Sequence, residues 1–319
     1  MSTKEPAIRI GISSCLLGQK VRFDGQHKHD RYLTDTLGEY FEWVPVCPEV
    51  EVGLGTPRET IQLVQLEDSI NLQTTRTKVD LTKRMTSFAK KRVKQLDDED
   101  LTGYILKKDS PSCGMERVKV HQPKGSPKRV GVGVFAEALL ERFPNLPVEE
   151  EGRLCDPKLR ENWVERVFAY HALKQLWHAR WKVGDLVDFH TRYKFTLLSH
   201  SEPEYRQLGK LVAAAKSVPR NELRDRYSDL FMTGMKKIAT TKKNCNVLQH
   251  MLGFFKNDLD PKSKHELMSH IEDYRQRIVP LVVPLMLIAH YVRILDVPYL
   301  RDQVYLNPHP RELALRNHV

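Results

Sequence analysis

Three times before residue 115 the chain runs through a short apolar stretch and halts on a polar turn that carries a cysteine. Ala7-Ile8-Arg9-Ile10-Gly11-Ile12 leads into Ser13-Ser14-Cys15, and Phe41-Glu42-Trp43-Val44-Pro45-Val46 leads into Cys47-Pro48-Glu49. Leu101-Thr102-Gly103-Tyr104-Ile105-Leu106 leads into Lys107-Lys108-Asp109-Ser110-Pro111-Ser112-Cys113-Gly114. Each apolar run has strand length and is bounded by turn residues. In the third turn Pro111 stiffens the backbone and Gly114 lets it bend back. If the strands lie side by side and parallel, their carboxyl ends open onto the crevice where such sheets bind ligands. The recurrence therefore predicts an open parallel sheet with three thiols at one edge.

The rest of the first half fits that frame. Asp30 or Thr34 can cap a short helix reaching Glu39. Glu59–Glu67 and Ser69–Thr77 alternate as two strands, an antiparallel side pair, and Thr82 caps an amphipathic helix through Leu96. Val130–Val134 reads as a last strand and Phe135–Phe143 as a last helix. Strands alternating with helices predict a small, mainly parallel, Rossmann-like α/β domain over residues 1–155. Residues 144–156 are polar and punctuated by Pro and Gly, the composition of a connection. Beyond them strand signals vanish. Trp163, Val167, Tyr170, Leu173 and Trp177 recur at helical spacing within Glu161–Trp181. Leu186–His200, Pro203–Lys216, Asn221–Ile238, Lys243–Phe255 and Ser263–Val292 also read as helices, so residues 156–319 are expected to form an all-α domain.

Of the 319 residues, 40% are hydrophobic and 29% charged, a composition that can support a core. The most apolar segment, Ile278–Ala289, is too short to span a bilayer and is broken by Pro280 and Pro284. The first residues lack the apolar stretch of a secretory signal. A cytoplasmic location is the expectation, with no membrane and no obligate protein partner. Five cysteines in such a setting read as thiols or ligands rather than disulfides; Cys155 and Cys245, in no repeated context, are expected to be structural. The net charge of +10 is unevenly spread. Residues 1–155 hold 24 Lys/Arg against 23 Asp/Glu, and residues 156–319 hold 27 against 18. That asymmetry favours a polyanionic partner for the second half.

Three thiolates on separate turns can hold a zinc ion with one open position, or three irons of a four-iron cluster. They can also be three unrelated buried cysteines, although polar turns argue against that. Glu49 lies two residues after Cys47 and points to the same side of an extended segment, where a carboxylate can activate water or shuttle a proton. Ser110 and Ser112 can donate hydrogen bonds to a substrate atom. Asp24, in Phe-Asp-Gly, is a further candidate for proton transfer. Ser14, Arg22, Arg58 and Lys108 are candidates to contact the substrate. In the second half His190, Arg192 and Lys194 share one predicted helix, and Lys236-Lys237 mark a helical junction. Scattered cations of this kind commonly contact phosphates.

The segments Ile12–Gly18, Arg22-Phe-Asp-Gly25, Val46-Cys-Pro-Glu49, Pro57-Arg58 and Lys108–Gly114 together resemble the thiouracil desulfidase family. The second half, with Phe168-Ala-Tyr-His171, Gly184–His190, Lys194 and Leu198-Ser-His200, resembles the helical domain often fused to it. This arrangement is similar to bacterial enzymes that remove sulfur from 4-thiouridine in tRNA. The resemblance implies a 4Fe-4S cluster held by Cys15, Cys47 and Cys113, with one iron left without a protein ligand. It implies Glu49 as acid/base, assisted by Ser110 or Ser112, and uridine and hydrogen sulfide as products. Thiolated tRNA is then the expected substrate. Free thiolated nucleotides such as 4-thio-UMP, or thiouracil itself, are the alternative, and a non-catalytic RNA-binding protein with structural cysteines is a second.

Overall fold

The computed structural model describes residues 7–178 and 180–318. Met1–Pro6, at the start of the chain, and Ala179, inside the predicted Glu161–Trp181 helix, lie outside them. The chain divides into two compact units, Met1–Cys155 and Asp156–Val319.

In the first unit β1 (Ile8–Ser13), β2 (Phe41–Val46), β5 (Gly103–Leu106) and β8 (Val148–Glu150) form one sheet in the order β2-β1-β5-β8. Every pairing in it is parallel. Ile10, Ile12, Tyr104, Ile105 and Leu106 are fully buried, as expected of central strands covered on both faces. Gly11 is required by the packing: a Cβ there would stand 2.2 Å from the Tyr104 ring.

The expected single sheet is in fact two. β3 (Ile61–Leu66), β4 (Ser69–Thr74), β6 (Val118–His121) and β7 (Lys128–Gly131) form a second sheet in the order β4-β3-β6-β7. β3 and β4 are an antiparallel pair, as the alternation predicted. After β2 the chain makes the helical turn α1 (Pro48–Glu51), then the β3-β4 hairpin, and returns through α2 (Thr82–Gln95) to β5. After β5 it makes the β6-β7 hairpin and returns through α3 (Val134–Arg142) to β8. The two excursions share one topology, and each departs from a strand that ends in a cysteine turn. Leu63, Leu72, Leu81, Met85, Val118 and Val120 form the core between the second sheet and α2.

Several boundaries differ from expectation. Asp30 accepts bonds from the amides of Tyr32 (3.1 Å) and Leu33 (3.3 Å), but the segment it starts, Tyr32–Glu39, is π-type then 3₁₀ rather than α. Thr82 lies inside α2, and its hydroxyl accepts from the Leu72 amide (2.9 Å), tying the helix to β4. The strand expected at Val130–Val134 is Lys128–Gly131, because the close approach of Gly133 to the neighbouring loop starts α3 at Val134. Residues 144–156, expected as a mere connection, contain β8.

The second unit is helical: α4 (Pro157–His178), α5 (Val183–His200), α6 (Glu202–Ala213), α7 (Arg220–Met235), α8 (Thr241–Leu252), α9 (Pro261–Arg275), α10 (Val282–Ile294) and the turn α11 (Pro298–Arg301). The helix expected over Ser263–Val292 is two helices. Arg277 takes a left-handed backbone (φ 62°) and Pro280 removes a helical donor, so α9 ends and α10 begins anew. Trp163, Val167 and Leu173 are buried, as their spacing predicted.

Candidate active site

The three cysteines leave three adjacent parallel strands. Cys15 follows the central strand β1, with Cys47 after β2 on one side and Cys113 after β5 on the other. All three line one cavity of about 330 Å³. Cys113 is 6% exposed and Cys15 9%. Burial pushes the Cys15 thiol up to about 11 and raises Cys47 as well. Cys113 is driven up further, by burial first and then by the Glu49 carboxylate. A cation must displace these protons to bind.

The turn carrying Cys113 is fixed from both ends. The Lys107 amide donates to Ser13 Oγ (3.0 Å), and the Lys108 amide donates to Glu151 Oε2 (2.8 Å). Glu151 also pairs with the Lys107 ammonium. Beyond the turn, the Met115 amide donates to Glu150 Oε1 (2.8 Å). The Ser112 carbonyl accepts from the amides of Phe135 (2.9 Å) and Ala136 (3.1 Å) at the start of α3. Gly133 makes that approach possible: a Cβ there would lie 2.5 Å from the Ser112 carbonyl. The Cys47 amide is held by Glu51 Oε1 (2.9 Å), whose second oxygen accepts from Arg92 (2.8 Å).

Glu49 faces this turn. Ser112 Oγ donates to Glu49 Oε1 at 2.7 Å and lies 3.6 Å from the Cys113 sulfur. Ser110 Oγ is 3.0 Å from Ser112 Oγ and 3.5 Å from the same carboxylate oxygen, and it also accepts the Cys113 amide (3.1 Å). The second oxygen of Glu49 is gripped by Arg58 through Nε (3.1 Å) and Nη2. Arg58 Nη1 donates to the carbonyls of Val21 and Gly55, both at 2.9 Å. The carboxylate is thus oriented at both oxygens before any substrate arrives.

Of the residues expected at the site, Cys15, Cys47, Cys113, Glu49, Ser110, Ser112, Ser14, Arg22, Arg58 and Lys108 all line the cavity. Arg58 differs from expectation in its partner, since its side chain is committed to Glu49 rather than open to a ligand. Asp24 is exposed and not part of the lining. Its carboxylate accepts the Gln26 amide (3.1 Å), which with Arg22 holds it below the usual carboxylate range, the pattern of a turn residue. Arg22 Nε is buried and ion-paired with Asp24 Oδ1 at 3.4 Å. Ser13, Glu51, Glu150 and Glu151, which hold the cysteine turns, were not anticipated. Glu150 and Glu151 sit in the polar 144–156 segment that reads as a connection.

The donor set can be tested against the metals it could serve. Among the described residues no three His, Cys, Asp or Glu side chains stand close enough to hold a single metal ion. The three cysteines line one cavity, and thiolate is the donor that an iron–sulfur cluster takes.

Of the basic residues singled out in the second unit, Arg192 and Lys236 are exposed. Lys237 pairs with Glu204 at 2.8 Å. His190 is turned onto the Tyr227 hydroxyl (3.2 Å), and burial lowers it to about 4, so it is neutral at physiological pH. Lys194 lies 5.9 Å above the Tyr299 ring. Cys245 is buried and Cys155 exposed. No helix among the described residues is long and apolar enough to cross a membrane.

Residues 10–151 match the family described as 2-thiouracil desulfurase, and residues 194–310 match a protein family of unknown function, DUF1722. The chain is 34% identical over 153 residues to the uncharacterized protein YbgA of Escherichia coli (strain K12), covering 48% of this chain and 90% of YbgA. It is 32% identical over 110 residues to the uncharacterized protein YbbK of Bacillus subtilis (strain 168), covering 33% of this chain and 72% of YbbK. A solved structure of the [4Fe-4S]-dependent thiouracil desulfidase TudS aligns over 48% of this chain and 96% of its own length, at 32% identity and a TM-score of 0.40.

Proposed function

Through residues 10–151 the chain belongs to the 2-thiouracil desulfurase family, and from that membership we propose that its first unit hydrolyses the carbon–sulfur bond of a thiolated pyrimidine. The observation that carries this reading is the convergence of three strand-end cysteines and an oriented carboxylate on one cavity. Cys15, Cys47 and Cys113 would hold a 4Fe-4S cluster. Bound there, it supplies a thiophilic Lewis acid at the iron no cysteine ligates. The thiocarbonyl and one water become a carbonyl and hydrogen sulfide, with no net electron transfer.

The protein's own groups do the rest. Glu49 takes a proton from the attacking water and returns it toward the leaving sulfur. Ser112 fixes the carboxylate oxygen that faces the cysteines, and Arg58 fixes the other. Arg22, which lines the same cavity and pairs through Nε with Asp24, would meet a polar substituent of the base with its remaining guanidinium nitrogens.

For the substrate, the proposal is 4-thiouridine within tRNA. Its support is the second unit, whose excess of Lys/Arg (27) over Asp/Glu (18) a polyanion would reward and a free base would not. Extracting the nucleotide from its stack costs a few kcal/mol, which distributed phosphate contacts can offset. Free thiouracil is the second reading, favoured by the family's own description. The test is sulfide release by anaerobically reconstituted enzyme from thiolated tRNA, 4-thio-UMP and 2-thiouracil in parallel. A kcat/KM at least tenfold higher for tRNA is expected. Turnover of the small substrates alone removes the tRNA claim and keeps the desulfidase. Absence of sulfide from all three defeats both, leaving a non-catalytic RNA-binding protein.

A further inference from the structure

The second unit contains a cavity of about 1420 Å³, larger than the ~300–1,000 Å³ usual for small-molecule pockets. It is bordered by the last turns of α5, the start of α6, the first turns of α8 and the end of α9. Its lining includes seven lysines and arginines and a single carboxylate, Glu202. Three of those cations have acidic partners: Arg206 with Glu202, Lys237 with Glu204 and Arg275 with Glu272. The other four are Lys194, Lys242, Lys243 and Arg277. Among the described residues no carboxylate lies within ion-pair distance of any of them. Lys243 is already engaged, its ammonium donating to the His200 carbonyl at 2.6 Å. Lys194, Lys242 and Arg277 present charge to one open space, a field that concentrates anions.

The wall also carries an aromatic surface. Phe254 lines the cavity and is 42% exposed, although large aromatic rings are normally buried. It is held flat by stacking on Tyr299, with centroids 5.1 Å apart and planes at 9°, and Lys194 stands over the Tyr299 ring. A rigid exposed ring beside uncompensated cations is how proteins receive unpaired nucleotides, the base stacking while its phosphates meet the charges. Duplex RNA offers no unpaired base face, and a small anion would leave both the ring and most of the volume unused.

We propose that this groove binds a single-stranded RNA segment, with phosphates on Lys194, Lys242 and Arg277 and a base on Phe254. The proposal rests on the reading of RNA as the substrate and locates the contact within the second unit. The test uses the full-length chain and a fluorescent twelve-nucleotide oligo(U). With three phosphate contacts, log affinity should fall against log salt with a slope near about −2. Lys242→Glu/Arg277→Glu should weaken binding at least tenfold and flatten that slope by more than about 1. Phe254→Ala should weaken it by about 5- to 100-fold with the slope unchanged. Release of sulfide from free 2-thiouracil should be the same in all variants, which shows the first unit intact. Wild-type oligo(U) affinity in both variants, or equal affinity for a blunt RNA duplex, overturns the groove. If that result comes with unchanged turnover of thiolated tRNA, the tRNA reading survives without it. Loss of oligo(U) binding in the variants of a protein that never desulfurates tRNA upholds the groove and ends the tRNA reading.

Discussion

Glu49 touches Ser112 with one oxygen and Arg58 with the other, and this pairing sets what each residue can contribute. Ser112→Ala should lower kcat by about 10²-fold, the lower end of what a positioned proton-transfer group supplies. Ser110→Ala should cost less, since Ser110 reaches the carboxylate only at 3.5 Å. Comparable losses in single-turnover rate would erase the distinction between the serines. Arg58→Gln should reduce kcat with KM little changed, because the guanidinium orients Glu49; a raised KM at constant kcat would return Arg58 to substrate binding. His190 makes a separate claim. Its buried ring has a folded pKa of about 4 against 6.5 unfolded, so the unfolded chain binds the extra proton. The stabilisation is complete above pH 6.5 and is lost as the pH falls from 6.5 to about 4, to the extent of about 3 kcal/mol. His190→Gln should flatten Tm against pH across that window, and an unchanged profile would refute the assignment. The cysteines, Glu49 and the two serines were legible because each lies on a turn directly after an apolar run. The Arg58–Glu49 pair was not, since a loop folds Arg58 back and no periodicity records that.

At the scale of elements, the strand-end turns are held by pieces the sequence disguises. Glu149-Glu150-Glu151 lies in the polar segment that reads as a connection. In the fold Glu149 and Glu150 are buried in the edge strand β8, and burial raises Glu150 above the ordinary carboxylate range. Their charges are tolerated because Arg153 meets Glu149 at 2.7 Å and the Met115 amide meets Glu150. A three-residue strand with such partners leaves no alternating pattern to detect. The Ser263–Val292 helix was overextended for the opposite reason: its apolar spacing carries on through a backbone that Arg277 and Pro280 have already broken. By contrast β1 and β5 have no such disguise, being apolar runs of the length and flanks that a buried parallel strand requires, and the edge strand β2 keeps strand length and a turn-bounded flank. Gly133 tests the link between element and site. Gly133→Ala should push the Ser112–Cys113 segment away from α3, lowering stability by about 1–3 kcal/mol in urea unfolding. It should reduce iron uptake more than does Gly209→Ala in α6, where the backbone is helical and a Cβ meets nothing within 4 Å. Equal uptake in the two variants would mean that α3 does not position Cys113.

Across the whole molecule the two units divide the chemistry. The first, with near-balanced charge, gathers the thiols; the second carries nearly all the excess positive charge. Inside the second unit that charge is partly structural. Arg316 lies buried against Glu165 (2.7 Å) and Glu161 (3.3 Å), and His200 meets Glu165 at 3.0 Å, so Arg316 and the neutral-or-charged contacts around it hold α4, α5 and the last described residues together. Composition showed the asymmetry but could not separate such cations from those left open in the groove. The account stands or falls on what the three cysteines hold. Iron and acid-labile sulfide measured per chain after anaerobic reconstitution, in wild type, Cys47→Ala and Cys155→Ala, address this directly. The account predicts about four of each in wild type and in Cys155→Ala, with loss of both in Cys47→Ala. A single tightly bound zinc without sulfide, or a full complement of iron and sulfide in Cys47→Ala, would contradict it.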